Sequence, residues 1–403
     1  MAKKAYKYRL YPTKKQEKML FWTLTRCREL YNAALAERKE AYRLAGKIIS
    51  YYEQKRDLPA IKAEIREEYQ GIHSQVLQDV LLRLDKAFKA FFRRVRNGEE
   101  PGYPRFLGRN RYHSFTYPQT GFSFTHDSHV CLSKIGSIKV KMHREMQGTI
   151  KTATIKHEAG QWYAVFSCEV EQPERLPVVD SEVGIDLGVT HFAALSDGTF
   201  IESPRYYRKS QKHLEKRQQT FSRKKRGSHR HEKERLAIAK AHRKIANQRR
   251  DFQHKQSTQL VKQHQLIVFE KLEIKNLTKH VKPKQDEETG QYLPNGAAAK
   301  SGLSKSILDA GWASFQQMCV SKAAYAGRAV LFVTPRYTSQ VCSQCRAVRK
   351  KSLDERWHSC ECGCELDRDT NAAINILWLG RSQRGVTCVE TPVFSLGVLH
   401  RVQ

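Results

Sequence analysis

Three acidic residues and a knot of cysteines carry most of the chemistry this sequence can do. Asp186 ends the short apolar run Val183-Gly-Ile185 and is followed by Leu187-Gly188. Glu270 directly follows Leu266-Ile-Val-Phe269, where a carboxylate is poorly solvated and costly without a cation. Asp369 lies in Leu366-Asp-Arg-Asp369-Thr-Asn371, just before the good helical segment Ala372–Leu379. Each has a plainer alternative. A lone strand-end Asp more often serves a turn, and Asp369 stands where a helix N-cap belongs. Glu273 and Asp367 are close enough to compete for the same roles. Together, however, the three acids close separate elements of one domain. Carboxylates converging on one point repel one another and need divalent metal. Hard oxygen ligands favour Mg²⁺, two ions of which would suit phosphodiester hydrolysis.

The second constellation is Cys342-Ser-Gln-Cys345 followed by Cys360-Glu-Cys362. Two cysteine pairs about fifteen residues apart predict one structural Zn²⁺ held by four thiolates. The second gap is shorter than usual, so Cys364 is an alternative to Cys362. Free thiols or a redox pair are the other reading. The remaining cysteines (Cys27, Cys131, Cys168, Cys319, Cys388) are scattered and are expected to be ordinary buried thiols.

The elements that position these groups follow from periodicity. Residues 5–10 alternate as a strand; Thr13-Lys-Lys-Gln16 is a capping box, and a helix follows to about Ala45. A second helix spans about Ser74–Arg96, with the stripe Val76, Val80, Leu84, Phe88, Phe91 and Phe92. Residues 98–112 interleave Tyr103, Phe106 and Tyr112 with Arg105, Arg109 and Arg111, which suits base stacking and phosphate pairing, or merely anchors two modules. From Ser114 to Glu171 a period of two predicts a small antiparallel barrel or sandwich that strand 5–10 joins. Beyond Pro173–Pro177 strands alternate with helices, which predicts α/β. The hairpin His191–Ile201, the strands 266–269 and 329–333 and a helix over Leu308–Arg328 belong here. Residues 279–305 are expected to be a flexible loop, and the chain beyond Gly380 loosely ordered.

Charge identifies the partner class. Lys+Arg is 72 against Asp+Glu 41, a formal net charge of +31. Arg208–Arg250 alone holds 17 Lys/Arg and 3 Glu. Neutralised phosphates release counterions, so a polyanion uses such an excess, whereas a small-molecule enzyme has little use for it. A surface kept basic for solubility and a solvated helical hairpin are the bland alternatives. No apolar run is long enough to span a bilayer and no signal peptide opens the sequence, so no membrane partner, a reducing compartment and no disulfide framework are expected.

Gly184-Ile-Asp-Leu-Gly188, Phe269-Glu-Lys-Leu272, Tyr337-Thr-Ser-Gln-Val-Cys-Ser-Gln-Cys345 and Asp367-Arg-Asp-Thr-Asn-Ala-Ala373 together resemble the transposon-encoded TnpB family, relatives of the type V CRISPR nucleases. Arg9-Leu-Tyr-Pro12, Gly102-Tyr-Pro-Arg-Phe106 and Ser114-Phe-Thr-Tyr117 resemble it as well. The resemblance implies an RNase H-like (RuvC) α/β nuclease domain with an inserted zinc ribbon, plus an N-terminal β-barrel carrying a helical insertion. It places the barrel at 1–12 and 97–176, the insertion at 13–96, the nuclease domain at 177–335 and 366–380, the ribbon at 336–365 and a tail at 381–403. It implies an RNA-guided, Mg²⁺-dependent DNA endonuclease with Asp186, Glu270 and Asp369 as the acids, choosing Asp369 over Asp367. Guide RNA from the transposon end and double-stranded target DNA are the implied partners. The protein is expected to act as a monomer in a prokaryotic cytoplasm, on the nucleoid when bound to DNA. A regulator that binds without cutting and a strand-transferring transposase are the competing functions.

Overall fold

The computed structural model describes residues 2–384 except 110, 126–127, 173 and 353–354. The expected tail from 385 onward, with Cys388, lies outside the described residues. The chain forms two compact units, residues 1–172 and 173–403.

In the first unit, strand β1 (Ala2–Tyr11) leads to helices α1 (Lys14–Ala45), α2 (Tyr51–Ala60) and α3 (Ser74–Arg96). The expected capping box is present. The Gln16 amide donates to Thr13 Oγ1 at 3.3 Å and the Thr13 amide to Gln16 Oε1 at 2.9 Å. Leu20, Leu24, Cys27, Tyr31 and Leu35 form the buried stripe of α1. In α3 the stripe is buried only to Leu84. The helix then outruns its core: Phe92 is exposed and packs with Phe88 and Phe91, which both meet Tyr103 edge-on.

Six further strands follow: β2 (Ser114–Tyr117), β3 (Phe122–Thr125), β4 (His129–Leu132), β5 (Gly136–Lys141), β6 (Thr149–Glu158) and β7 (Gln161–Val170). They join β1 in the order β2-β6-β7-β1-β5-β4-β3, with β1 antiparallel to both β7 and β5. The outermost strands β2 and β3 are consecutive in sequence, from Tyr117 to Phe122. Five steps of chain reach at most about 18 Å. The sheet must therefore curl until its edges nearly meet, although no ladder joins β2 to β3 among the described residues. The expected barrel is thus a rolled sheet with an unpaired seam.

The second unit is the α/β part. Its first elements are β8 (Glu182–Asp186), β9 (His191–Leu195), β10 (Phe200–Glu202), α4 (Tyr206–Ser222), α5 (His229–Gln263) and β11 (Leu266–Glu270). A short α6 (Ile274–Leu277) and a small hairpin, β12 (Lys284–Gln285) with β13 (Tyr292–Leu293), lead to α7 (Ala297–Ala310), α8 (Trp312–Ala326) and β14 (Ala329–Val333). Last come the paired strands β15 (Trp357–Ser359) and β16 (Glu365–Asp367) and helix α9 (Arg368–Arg384). The main sheet runs β10-β9-β8-β11-β14; β8–β10 are antiparallel hairpin neighbours, and β11 is parallel to both β8 and β14. This mixed sheet between helices agrees with the RuvC-like α/β class. The 279–305 loop does not hold in full: α7 starts at Ala297, because Ala297-Ala-Ala-Lys300 are strong helix formers, and Gly311 at φ 67° breaks it from α8. Likewise α9 continues past Gly380 to Arg384.

One face of the sheet is covered by Leu260, Phe315 and Cys319, the other by Ile376 and Leu377 of α9 against Leu266 and Val268. Contact between α9 and β8 is backbone-close. A Cβ on Gly184 would stand 2.1 Å from the Ala373 carbonyl oxygen and 2.6 Å from the Leu377 nitrogen. Gly184→Ala is therefore expected to push α9 off the sheet and destabilise the protein by about 3 kcal/mol, the upper range for overpacking, read as a lower urea midpoint.

Candidate active site and thiolate cluster

Strand register brings the first two acids together. Ile185 pairs with Phe269 across the parallel β8–β11 ladder. One step further puts Asp186 and Glu270 side by side at the carboxyl ends of adjacent strands, roughly 4.8 Å apart in backbone terms. Helix α9 supplies the third. Its close seat on Gly184 brings its first turn over the end of β8, and an Asp369 carboxylate oxygen lies 3.9 Å from where a Gly188 Cβ would be.

The capping role expected of Asp369 belongs to Asp367. Asp367 Oδ1 accepts from the Asp369 amide at 2.8 Å and the Thr370 amide at 3.2 Å. Asp367 is thus spent on the helix end, and Asp369, two residues on, keeps its side chain available. Glu273, the competitor of Glu270, lies outside the strand, and its residue is exposed.

Glu270 is buried and held by groups that the sequence reading did not single out. Thr338 Oγ1 donates to Glu270 Oε1 at 2.5 Å, and Gln316 Nε2 donates to its carbonyl at 3.1 Å. Burial raises the Glu270 carboxyl, opposed by the Thr338 hydrogen bond. Asp186 is pushed well above its ordinary range by burial, then by the charges of Glu270 and Asp369. Burial and Asp367 raise Asp369, while Arg356, Arg368 and His191 oppose. Three desolvated, mutually repelling oxygen donors are a fitting set for a hard divalent cation. Among the described residues the three acids do not form a group with all ligand atoms within 4.8 Å of one another, as the cysteine sulfurs do.

An acid with a raised folded pKa contributes stability that is complete below the ordinary carboxylate range and lost as pH climbs through the folded value. In a chelator the protein is therefore expected to lose stability from about pH 4 upward at this site. Asp186→Asn should remove part of that loss and raise the neutral-pH Tm by about 2–4 °C, measured by calorimetry in EDTA. An unchanged or lower Tm would contradict the repulsion.

The sulfur atoms of Cys342, Cys345, Cys360 and Cys362 all lie within 4.8 Å of one another. Cys342 and Cys362 are 3.6 Å apart, and Cys345 and Cys360 3.5 Å. A tetrahedral zinc with Zn–S near 2.3 Å has edges of about 3.8 Å, so the four fit zinc. Two turns build the cluster: the Arg346 amide closes on the Cys342 carbonyl, and the Gly363 amide on that of Cys360, with Gly363 at φ 84°. Cys364 belongs instead to a second, overlapping group with Cys342 and His358. Burial raises the Cys342 thiol, but amides of Cys345 and Gln344 and the His358 ring outweigh it and lower it, whereas the Cys345 thiol is raised. One thiolate is already favoured within the set.

The cluster is tied to α9 by two buried asparagines whose role the sequence reading missed. Asn371 Oδ1 accepts from the Ser343 amide at 2.9 Å, and Asn371 Nδ2 donates to the Val341 carbonyl at 2.8 Å. Asn375 Nδ2 donates to the Thr338 carbonyl at 2.9 Å and its oxygen accepts from Arg346 at 2.7 Å. Two asparagines four residues apart in an apolar helix, Asn371-Ala-Ala-Ile-Asn375, were the available signal. Of the isolated cysteines, Cys27, Cys168 and Cys319 are buried and Cys131 only partly so.

Residues 165–281 match the OrfB_IS605 family model, described as "Probable transposase", and residues 312–376 match "Cas12f1-like, TNB domain". Residues 1–47 match a "Helix-turn-helix domain" model, although here that stretch is β1 followed by one long helix, α1. The chain is 33% identical over 381 residues to "Putative RNA-guided DNA endonuclease InsQ" of Escherichia coli (strain K12), covering 94% of this chain and 92% of that one. It is 31% identical to "Putative RNA-guided DNA endonuclease" of Streptomyces pristinaespiralis, covering 94% and 89%. Among solved structures, "Structure of the mini-RNA-guided endonuclease CRISPR-Cas_phi3" aligns at a TM-score of 0.47 and 11% identity over 94% of this chain and 92% of that one.

Proposed function

Because the chain belongs to the TnpB family, the OrfB proteins of IS605-type elements, we propose that it is an RNA-guided DNA endonuclease in which Asp186, Glu270 and Asp369 hold magnesium at one cutting site. The observation that carries this reading is the convergence of β8, β11 and α9, with Asp186 feeling the charges of both other acids. Bound divalent ions would supply charge neutralisation and an acidified water. The chain's own groups do the rest. Thr338 fixes the Glu270 carboxylate, and the Asp367 cap leaves Asp369 facing the strand end. The basic hairpin α4–α5 offers the backbone phosphates a cationic track without base readout. Four thiolates hold structural zinc. The rolled sheet and helices of the first unit bind the guide RNA and read a short DNA motif beside the target. The working unit is a monomer. No described helix is long and apolar enough to cross a membrane.

The test is cleavage of a matched plasmid by the protein purified with its co-expressed RNA. Cutting is expected only with Mg²⁺ and only with the matched RNA. Cutting that persists after the RNA is removed would overturn guidance; binding without any cutting would favour a regulator.

A further inference from the structure

A cavity of about 390 Å³ opens in the second unit between α4, α5, α7 and the loop that follows the first acid. One wall is Val189 and Thr190, beginning one residue past Gly188, which faces the Asp369 carboxylate. Three guanidiniums line it, from Arg205, Arg208 and Arg249, against one carboxylate, Asp309. Asp309 is already committed. Its Oδ1 accepts from Arg249 at 2.8 Å and its Oδ2 from the Tyr207 amide at 3.0 Å. That ion pair cancels Arg249 and leaves two net positive charges. Arg208 is braced by neutral acceptors, the Gly302 carbonyl at 3.0 Å and Ser306 Oγ at 3.2 Å, and Arg205 by the Thr190 carbonyl at 3.2 Å. Both arms are therefore positioned without being neutralised, and each guanidinium retains unspent donors. Beside them stand the rings of Tyr206 and Phe252, the latter fixed edge-on to Phe192 at 5.0 Å. Paired cations next to aromatic surface suit a phosphate joined to a base. A volume near the lower end of the roughly 300–1,000 Å³ typical of ligand sites admits one nucleotide rather than a run of them.

We propose that this cavity receives one nucleotide of the DNA strand presented to the acids, its phosphate on Arg205 and Arg208 and its base against Tyr206 and Phe252. The pocket thereby sets where the backbone crosses the acid site. The identity of the strand rests on the nuclease reading; occupancy by a nucleotide does not.

Two variants of the full RNA-loaded protein test it. Ala310→Trp fills the cavity. Arg205→Gly removes a cation at a position whose φ of 48° glycine adopts without strain, so loss of fold is not its expected effect. In an Asp186→Asn background, each variant is expected to weaken binding of a single-stranded DNA oligonucleotide by roughly tenfold in fluorescence anisotropy. With Asp186 restored, cleavage should need correspondingly more DNA, and its cut positions should scatter over neighbouring nucleotides. Unchanged DNA affinity and cleavage in both variants would overturn the proposal, as would a loss confined to single-stranded RNA. A parent protein that binds DNA and never cuts would sink the nuclease reading while the anisotropy still decides the pocket.

Discussion

Asp369→Asn is expected to reduce guided cleavage by on the order of a thousandfold, about 4 kcal/mol of transition-state stabilisation, with RNA loading and DNA binding intact. Its neighbour Asp367→Asn should stay within about threefold of the parent, because asparagine caps a helix as well as aspartate does. The contrast comes from two hydrogen bonds. Asp367 spends an oxygen on the amides of Asp369 and Thr370, so its carboxylate is committed to the helix end, and the proposed cation ligand is the second acid. Asp367→Ala adds a control, losing about 1 kcal/mol of stability without a comparable change in the rate of the folded enzyme. Plasmid cleavage under single-turnover conditions reads all three. An inactive Asp367→Asn beside an active Asp369→Asn would reverse the assignment.

The second large effect is expected at the thiolates. Cys342→Ser should lose zinc, lower Tm and abolish cleavage although it touches no acid. Structural zinc contributes on the order of 10 kcal/mol to folding small metal-bound modules. The path to activity is short. Cys342 neighbours the Val341 and Ser343 backbone that Asn371 grips, and Thr338, which holds Glu270, hangs from Asn375. Cys364→Ser is expected to retain one zinc per chain and Cys362→Ser to lose it, since the geometry groups Cys362 with the other three. Metal analysis after dialysis decides between them; the opposite pattern would move the fourth ligand to Cys364.

Much of this architecture was legible because burial leaves period in sequence. The Leu20–Leu35 stripe, the alternation after Ser114 and the all-apolar runs before Asp186 and Glu270 each mark a surface that must be covered. Asp186 and Glu270 could be nominated because each ends such a run, and Asp369 because it precedes the apolar helical segment 372–379. Their convergence could not, since it depends on the β8–β11 register and on a helix seated against Gly184. Capping defeated local reading for a similar reason. Asp367 and Asp369 both precede the apolar segment 372–379 in sequence, and only the helix start at Arg368 and the hydrogen bonds to Asp367 separate them. Thr338, Gln316, Asn371 and Asn375 carry no periodic signature, because a residue that holds another side chain is defined by its partner. The stretch from 279 misled because glycines and polar residues outweighed the alanines of α7, and the aromatic end of α3 misled because periodicity says nothing of where a core stops.

The seat of α9 also bears on when the protein can first act. Asp369 belongs to the last described helix, preceded along the chain by every described strand and by both cysteine pairs. A ribosome-bound nascent polypeptide therefore carries at most two of the three acids until residue 369 has been added. On the proposed assignment, the hydrolytic centre lacks a member until α9 emerges and docks, and a fragment terminated upstream has no complete acid set with which to cut DNA. Translation order thus acts as a safety catch.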